Sequence, residues 1–202
     1  MRTEDGEPVN GMRIAIIGGT GTLGRHVAGQ LRSHGHQVRI LGRSAPGNRV
    51  DLTTGEGLDA ALKGCDAVVD ASNNSSRQAG EVLVNGSRRL LAAEEAAGVG
   101  HHVAVSIVGC ELTPFSYFQV KAEQERVVER GRVPWSIVRA TQFHELAAAT
   151  LEGLARWGLL PLPRALLQTV AAAEVAQVVA DVAAKPPLRA RRGHRAGAGG
   201  CA

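Results

Sequence analysis

Cysteine, tyrosine and lysine are all scarce in this chain of 202 residues, and each scarcity excludes something. The three cysteines, Cys65, Cys110 and Cys201, have no CxxC spacing, which excludes a disulfide framework and a structural zinc site and suits a reducing compartment. The histidines show no ligand spacing either, since His101 and His102 are adjacent and His34 and His36 flank a glycine, so no metal is expected. No apolar run reaches the roughly 18 residues of a membrane-spanning helix. The start of the chain carries Glu4, Asp5 and Glu7 where a signal peptide would be apolar, so a cytoplasmic protein without export or membrane attachment is expected. The sequons at Asn73 and Asn85 then have no glycosylation meaning.

The charge is also less informative than it looks. Lys plus Arg is 23 and Asp plus Glu is 19, a net +4, but Arg189, Arg191, Arg192 and Arg195 stand near the end with no acid among them. The remainder is balanced, so the excess marks a tail and not a nucleic-acid recognition face. Hydrophobic content of 44% and charged content of 21% exclude wholesale disorder, collagen-like repeats and coiled coil, and the length suits a single domain.

What is present is an alternation of short apolar runs and helical stripes. Met12 to Ile17 is a continuous β-branched run that stops at Gly18-Gly19-Thr20-Gly21, and Leu23, Val27 and Leu31 then recur at helical spacing until Gly35. Further strands are predicted at Gln37 to Leu41, Arg49 to Leu52, Asp66 to Ala71, His102 to Val108 and Trp135 to Ala140, with helices near 56–63, 79–98 and 119–130 between them. Beyond Ala140 the pattern gives a helix over about 143–157, a break at 161–163, a short extended piece at 168–170 and a helix over 174–184. The expected fold is α/β: a Rossmann-like, doubly wound parallel sheet with helices on both faces. It spans 12–187, with a small C-terminal substrate region at about 141–187, a flexible leader at 1–11 and a disordered Arg/Gly/Ala tail at 188–202.

The strongest motif is Gly18-Gly19-Thr20-Gly21-Thr22-Leu23-Gly24, which joins the first strand to the first helix. Gly18 permits the turn, Gly21 lets backbone approach a pyrophosphate and Gly24 lets the helix pack close to the strand, while helix N–H groups face the phosphates. A Walker A loop is excluded because Arg25-His26 stand where Lys and Ser or Thr are required. Arg43 lies about 20 residues on, where an NAD-selective fold places an acid. A guanidinium there, with Ser44 and Arg25 nearby, grips a 2′-phosphate, so NADP(H) is expected over NAD(H). Asp51 and Leu52 are candidates for the adenine edge, and Ala71, Ser72 and Asn73 sit at a strand's C-terminal end, where open sheets bind ligands.

With GGTGTLGRHV, LGRS, SIVG, YFQVKAEQE and WSIVRATQFHE in this order, the chain resembles the NmrA-like NAD(P)H-binding branch of the atypical short-chain dehydrogenases/reductases. The resemblance covers 12–184 and implies that substrate lies between the sheet's C-terminal edge and the C-terminal region. It also implies that the loop after Arg139 walls the nicotinamide pocket through Ala140, Thr141, Gln142 and Phe143. Tyr117 is the chain's only tyrosine and is followed by Lys121, the YxxxK pair that short-chain dehydrogenases use, with Ser106 matching their third position. Residues four apart share a helix face, so the Lys121 ammonium is expected to lower the Tyr117 phenol and to hold the nicotinamide ribose. Alternatively Tyr117 belongs to a structural aromatic cluster with Phe115 and Phe118, and His144 to the surface of the following helix. The chain departs from the family pattern after Ala184, where it reads as a truncation or an altered frame; an apolar edge left there would favour a homodimer. The leading expectation is an NADP(H)-dependent reductase of a small carbonyl, enone or quinone. The alternatives are a non-catalytic redox sensor and a sugar-nucleotide epimerase-like enzyme.

Overall fold

The structure, a computed structural model, describes residues 11–112, 114, 116–141 and 171–194. The leader before residue 11, the elements expected at 143–157, 161–163 and 168–170, and the tail after 194 lie outside the described residues.

Six strands form one parallel sheet: β1 (Arg13–Ile17), β2 (Gln37–Leu41), β3 (Ala67–Asp70), β4 (His101–Ile107), β5 (Trp135–Ala140) and β6 (Arg191–His194). Their order is β2-β1-β3-β4-β5-β6, so the chain reverses direction across the sheet between β1 and β3. A ligand crevice belongs at the C-terminal ends of the strands at such a switch. The helices are α1 (Thr22–Ser33), α2 (Leu58–Leu62), α3 (Gly86–Ala97), α4 (Ser116–Arg130) and α5 (Ala172–Ala183). One turn of π-helix, Gly80–Asn85, leads into α3, a local form the apolar periodicity does not distinguish from an α-helix.

Alternation along each strand builds two cores. Ile14, Ile16, Val69, Val103 and Val138 face α1 and α5, while Ala15, Ile17, Val68, Ala104 and Ile137 face α2, α3 and α4. Because both faces are covered, the central strands read as unbroken apolar runs, which is why they are legible in the sequence.

Two expectations are corrected. Arg49 to Leu52 forms no strand: only a single bridge pairs Arg49 with Gly42, and Leu52 turns its side chain into the core under α3. The tail does not lose order at 188, since Arg191–His194 adds a strand parallel to β5. A strand at a sheet edge is attached through its backbone and so needs no apolar side chains. Arg191 adds bonds of 2.6 Å to Glu129 and 3.4 Å to Glu125 on α4.

The approach to β6 hangs on a buried hydroxyl. The Leu188 N–H donates to Ser136 Oγ at 2.9 Å, and Ser136 lies 2.8 Å from His101 Nε2, which leaves its own proton to donate to that ring nitrogen. Burial, with the neighbouring His102, holds His101 down at about 4. An unfolded histidine titrates near 6.5, so the stability this group contributes is complete above that pH. It is lost as pH falls from about 6.5 to about 4, by up to about 3 kcal/mol. Urea midpoints across pH 4 to 7 check this, and His101→Gln should flatten the acid limb.

Candidate functional site

The glycine turn lies where the sequence places it, and its close approaches show why Gly18 and Gly24 must be glycine. Gly18 has φ +72°, and a Cβ there would lie 2.7 Å from the Ala71 carbonyl oxygen, so the turn after β1 presses against the end of β3. At Gly24 a Cβ would overlap the Gly18 carbonyl oxygen and lie 2.6 Å from the Gly19 Cα. The Gly18 and Gly19 amides both donate to the Leu41 carbonyl, pinning the turn between β1 and β2. Helix α1 begins after Gly21 with no side-chain cap and no acid in its first turn. Its first amides, at Thr22, Leu23 and Gly24, thus open toward the crevice with their positive potential unshielded.

Around that turn, Thr20, Arg25, Arg43 and Ser44 are exposed on the β2 side. Asp51 is tied down locally, accepting from the Thr53 hydroxyl at 2.6 Å and the Thr53 amide at 2.8 Å. Those bonds, helped by Arg43 and Arg49, hold its carboxyl below the usual range. The side chain of Leu52 is in the core, which leaves its backbone as the part near the crevice, and its carbonyl accepts from Arg89 at 3.1 Å.

On the other side of the switch, three hydroxyls end three successive strands. Ser106 Oγ on β4 bonds to the Cys110 sulfur, while Ser72 Oγ after β3 and Thr141 Oγ1 after β5 are each buried without a hydrogen-bond partner among the described residues. A buried hydroxyl without a partner is destabilising, so two of them at neighbouring strand ends fit a bound polar molecule. The tight glycine cradle and these hydroxyls together fit a dinucleotide lying along the strand ends. Phe143, Gln142 and His144 lie outside the described residues.

Tyr117 and Lys121 share the face of α4 as expected, but they are held by different partners. The Tyr117 hydroxyl donates to Asn73 Oδ1 at 2.6 Å. The Lys121 ammonium is buried and donates to the Val105 carbonyl at 2.8 Å and to Gln124 Oε1 at 2.6 Å. Burial pushes the phenol above its ordinary value, opposed only by the Asn73 amide, so the expected lowering by Lys121 is corrected. Helical spacing fixes a shared face and leaves open where a long side chain ends. Tyr117 also packs edge-on against Phe118, with ring centroids 5.8 Å apart, so its ring has a structural role as well. Cys110 is no nucleophile, because burial and Glu125 push its thiol up.

Sequence reasoning missed the buried acids behind this crevice. Asp70 ends the apolar run Ala67-Val68-Val69, and an ionisable group closing a buried strand is a signal that could have drawn attention. Among the described residues no group of His, Cys, Asp or Glu is arranged to hold a metal ion, and no helix is long and apolar enough to cross a membrane.

A family model described as NAD(P)H-binding matches residues 18–186. The chain belongs to this family. Among curated proteins, members similar to it include a (4-alkanoyl-5-oxo-2,5-dihydrofuran-3-yl)methyl phosphate reductase of Streptomyces griseus, 33% identical over 73% of this chain and 54% of the relative. The photosystem II assembly factor Ycf39 of Trieres chinensis is 30% identical over 66% of this chain and 47% of its own length. The chain therefore spans about half the length of these curated relatives. A nucleoside-diphosphate-sugar epimerase from Staphylococcus aureus superposes over 91% of this chain and 71% of its own, with a TM-score of 0.76 at 19% identity, a likeness of fold. NAD(P)H binding, as the family describes it, and a Rossmann-like α/β fold thus describe this chain.

Proposed function

We propose that the protein is an NADP(H)-dependent reductase of a small conjugated carbonyl compound, an enone or a quinone. The observation that carries this reading is the Tyr117 phenol, bonded to Asn73 beside the strand ends where Ser72 and Thr141 hold buried hydroxyls without a partner among the described residues. Support also comes from the Streptomyces relative, whose name describes reduction of an alkanoyl-5-oxo-2,5-dihydrofuran, a conjugated carbonyl compound built on an unsaturated lactone.

The cofactor, when bound, supplies a hydride to the electron-poor carbon. Gly18, Thr20, Gly21, Thr22, Leu23 and Gly24 would hold its pyrophosphate on backbone amides, and Ala71, Ala140 and Thr141 would border the nicotinamide end. Tyr117 donates its proton to the developing oxyanion, and the Asn73 amide then turns its NH2 group toward the phenolate. Ser106 donates a hydrogen bond to the same oxygen. The phenol is protonated at neutral pH, the state a proton donor requires, and burial moves its midpoint further up.

Arg43 sets the cofactor choice by pairing with the 2′-phosphate, with Ser44 and Arg25 beside it. Calorimetric titration should show Arg43→Ala weakening NADPH about ten- to a hundredfold, as for the loss of charge-assisted hydrogen bonds, with NADH unchanged. Equal weakening of both nucleotides, or of neither, removes Arg43 from the selection.

A second reading, a nucleotide-binding regulator without turnover, is favoured by one feature: Lys121 is engaged inside the protein and does not activate the phenol. The assembly-factor relative points the same way. Oxidation of NADPH in the presence of a naphthoquinone or cyclohexenone separates the two readings. Turnover supports the reductase; tight binding with no turnover on either compound supports the regulator.

A further inference from the structure

Behind the crevice, four side chains that are no more than 3% exposed join β3, α3 and α4: Asp70, Ser87, Lys121 and Gln124. Gln124 is the junction. Its Nε2 donates to Asp70 Oδ2 at 3.1 Å and to Ser87 Oγ at 3.0 Å, and its Oε1 accepts from Lys121 at 2.6 Å. Ser87 in turn donates to the Leu83 carbonyl at 2.7 Å, anchoring the group to the π-turn. An amide has one donor end and one acceptor end, so Gln124 can satisfy an anion and a cation at once. Glutamate there would face Asp70 with a second acid, and leucine would leave both charges without that link.

The other oxygen of Asp70 is what connects this group to the crevice. Asp70 Oδ1 accepts the Ser72 amide at 3.0 Å, and the next residue, Asn73, receives the Tyr117 hydroxyl. The path from Lys121 through Gln124, Asp70 and Ser72 thus reaches the phenol by a chain of bonds and not by direct contact of the ammonium.

We propose that Lys121, Gln124, Ser87 and Asp70 form a buried positioning unit that fixes the 71–73 loop, and through Asn73 the Tyr117 hydroxyl. Lys121 is the counter-charge of Asp70 within it, with Glu125 a second acid nearby, and its ammonium bonds to Val105 and Gln124 and not to the phenol. Lys121 and Gln124 are therefore positioning residues. This rests on the donor role given to Tyr117, but its test needs no turnover.

The single tyrosine makes the test direct, because phenolate absorbance on alkaline titration reports Tyr117 alone. Gln124→Leu should free the loop, admit water and bring the midpoint down toward the ordinary value of roughly 10. Lys121→Met should leave the midpoint no higher than in the parent protein, and its lost thermal stability should be recovered in D70N/K121M, which removes both charges. The proposal is overturned by a midpoint that rises by roughly a unit in Lys121→Met, the mark of an ammonium facing the phenol. It is equally overturned by an unchanged midpoint in Gln124→Leu, or by D70N/K121M being no more stable than Lys121→Met. If Lys121→Met does not fold, D70N/K121M supplies the titration, and failure of that variant to fold overturns the charge pairing. Absence of quinone turnover, with these shifts observed, would count against the reductase reading and leave the positioning unit standing.

Discussion

Gly24→Ala should remove most nucleotide binding, while Gly29→Ala, five residues along the same helix, should leave it intact. The added methyl is the same in both, so the contrast isolates space. At Gly24 it meets the Gly18 carbonyl and the Gly19 Cα, backbone atoms with no rotamer to yield, whereas at Gly29 nothing lies within 4 Å. Forcing a methyl into such a contact costs about 1–3 kcal/mol, and the turn relieves it by moving away from the helix. That movement separates the two halves of the phosphate cradle, so calorimetry should show NADPH affinity lower by about ten- to a hundredfold. Gly29→Ala should instead raise the melting temperature slightly, through the roughly 0.5–1 kcal/mol advantage of alanine in a helix. Equal affinities in the two variants would mean that the nucleotide does not sit on this turn.

The larger effect on chemistry should come from Tyr117→Phe. The substitution keeps the ring and its contact with Phe118 and deletes only the hydroxyl bonded to Asn73. A positioned proton donor contributes roughly 10²–10⁴-fold, so quinone or enone reduction should fall by that factor with NADPH affinity unchanged. The pH dependence has a definite sign. A donor must be protonated, so its activity falls as pH rises through the phenol midpoint, and burial moves that midpoint up. Reduction should therefore lose less than half its rate to phenol ionisation at any pH between neutrality and about 10, the ordinary phenol value. Unchanged turnover in Tyr117→Phe would remove the phenol from the reaction.

How much was legible in the sequence depended on what held each element. Strands β1, β3, β4 and β5 declare themselves because burial on both faces demands apolar residues in succession. The glycine turn is equally visible, since close backbone approach admits only one residue type. By contrast, Arg49 to Leu52 carried enough apolar character to suggest a strand, yet Leu52 serves the core from an irregular loop. The Lys121 error has a similar origin: the spacing from Tyr117 is right, but a four-carbon side chain reaches whatever buried acceptors lie within its length. Gln124, three residues further on, and Asp70, far away in sequence, decide that destination, and no local pattern links them.

The sixth strand has a further consequence. Each interior strand is clamped between layers of apolar side chains, an attachment indifferent to dissolved ions. Strand β6 adds Arg191, Arg192 and Gly193, all exposed, and is steadied by the carboxylates of Glu129 and Glu125. Mobile counter-ions screen charge pairs in contact with water over about 10 Å at 0.1 M salt. The four interior strands are thus held under any ionic condition, whereas β6, paired to β5 through its backbone, carries in addition a pair with Glu129 whose strength varies with the electrolyte around it.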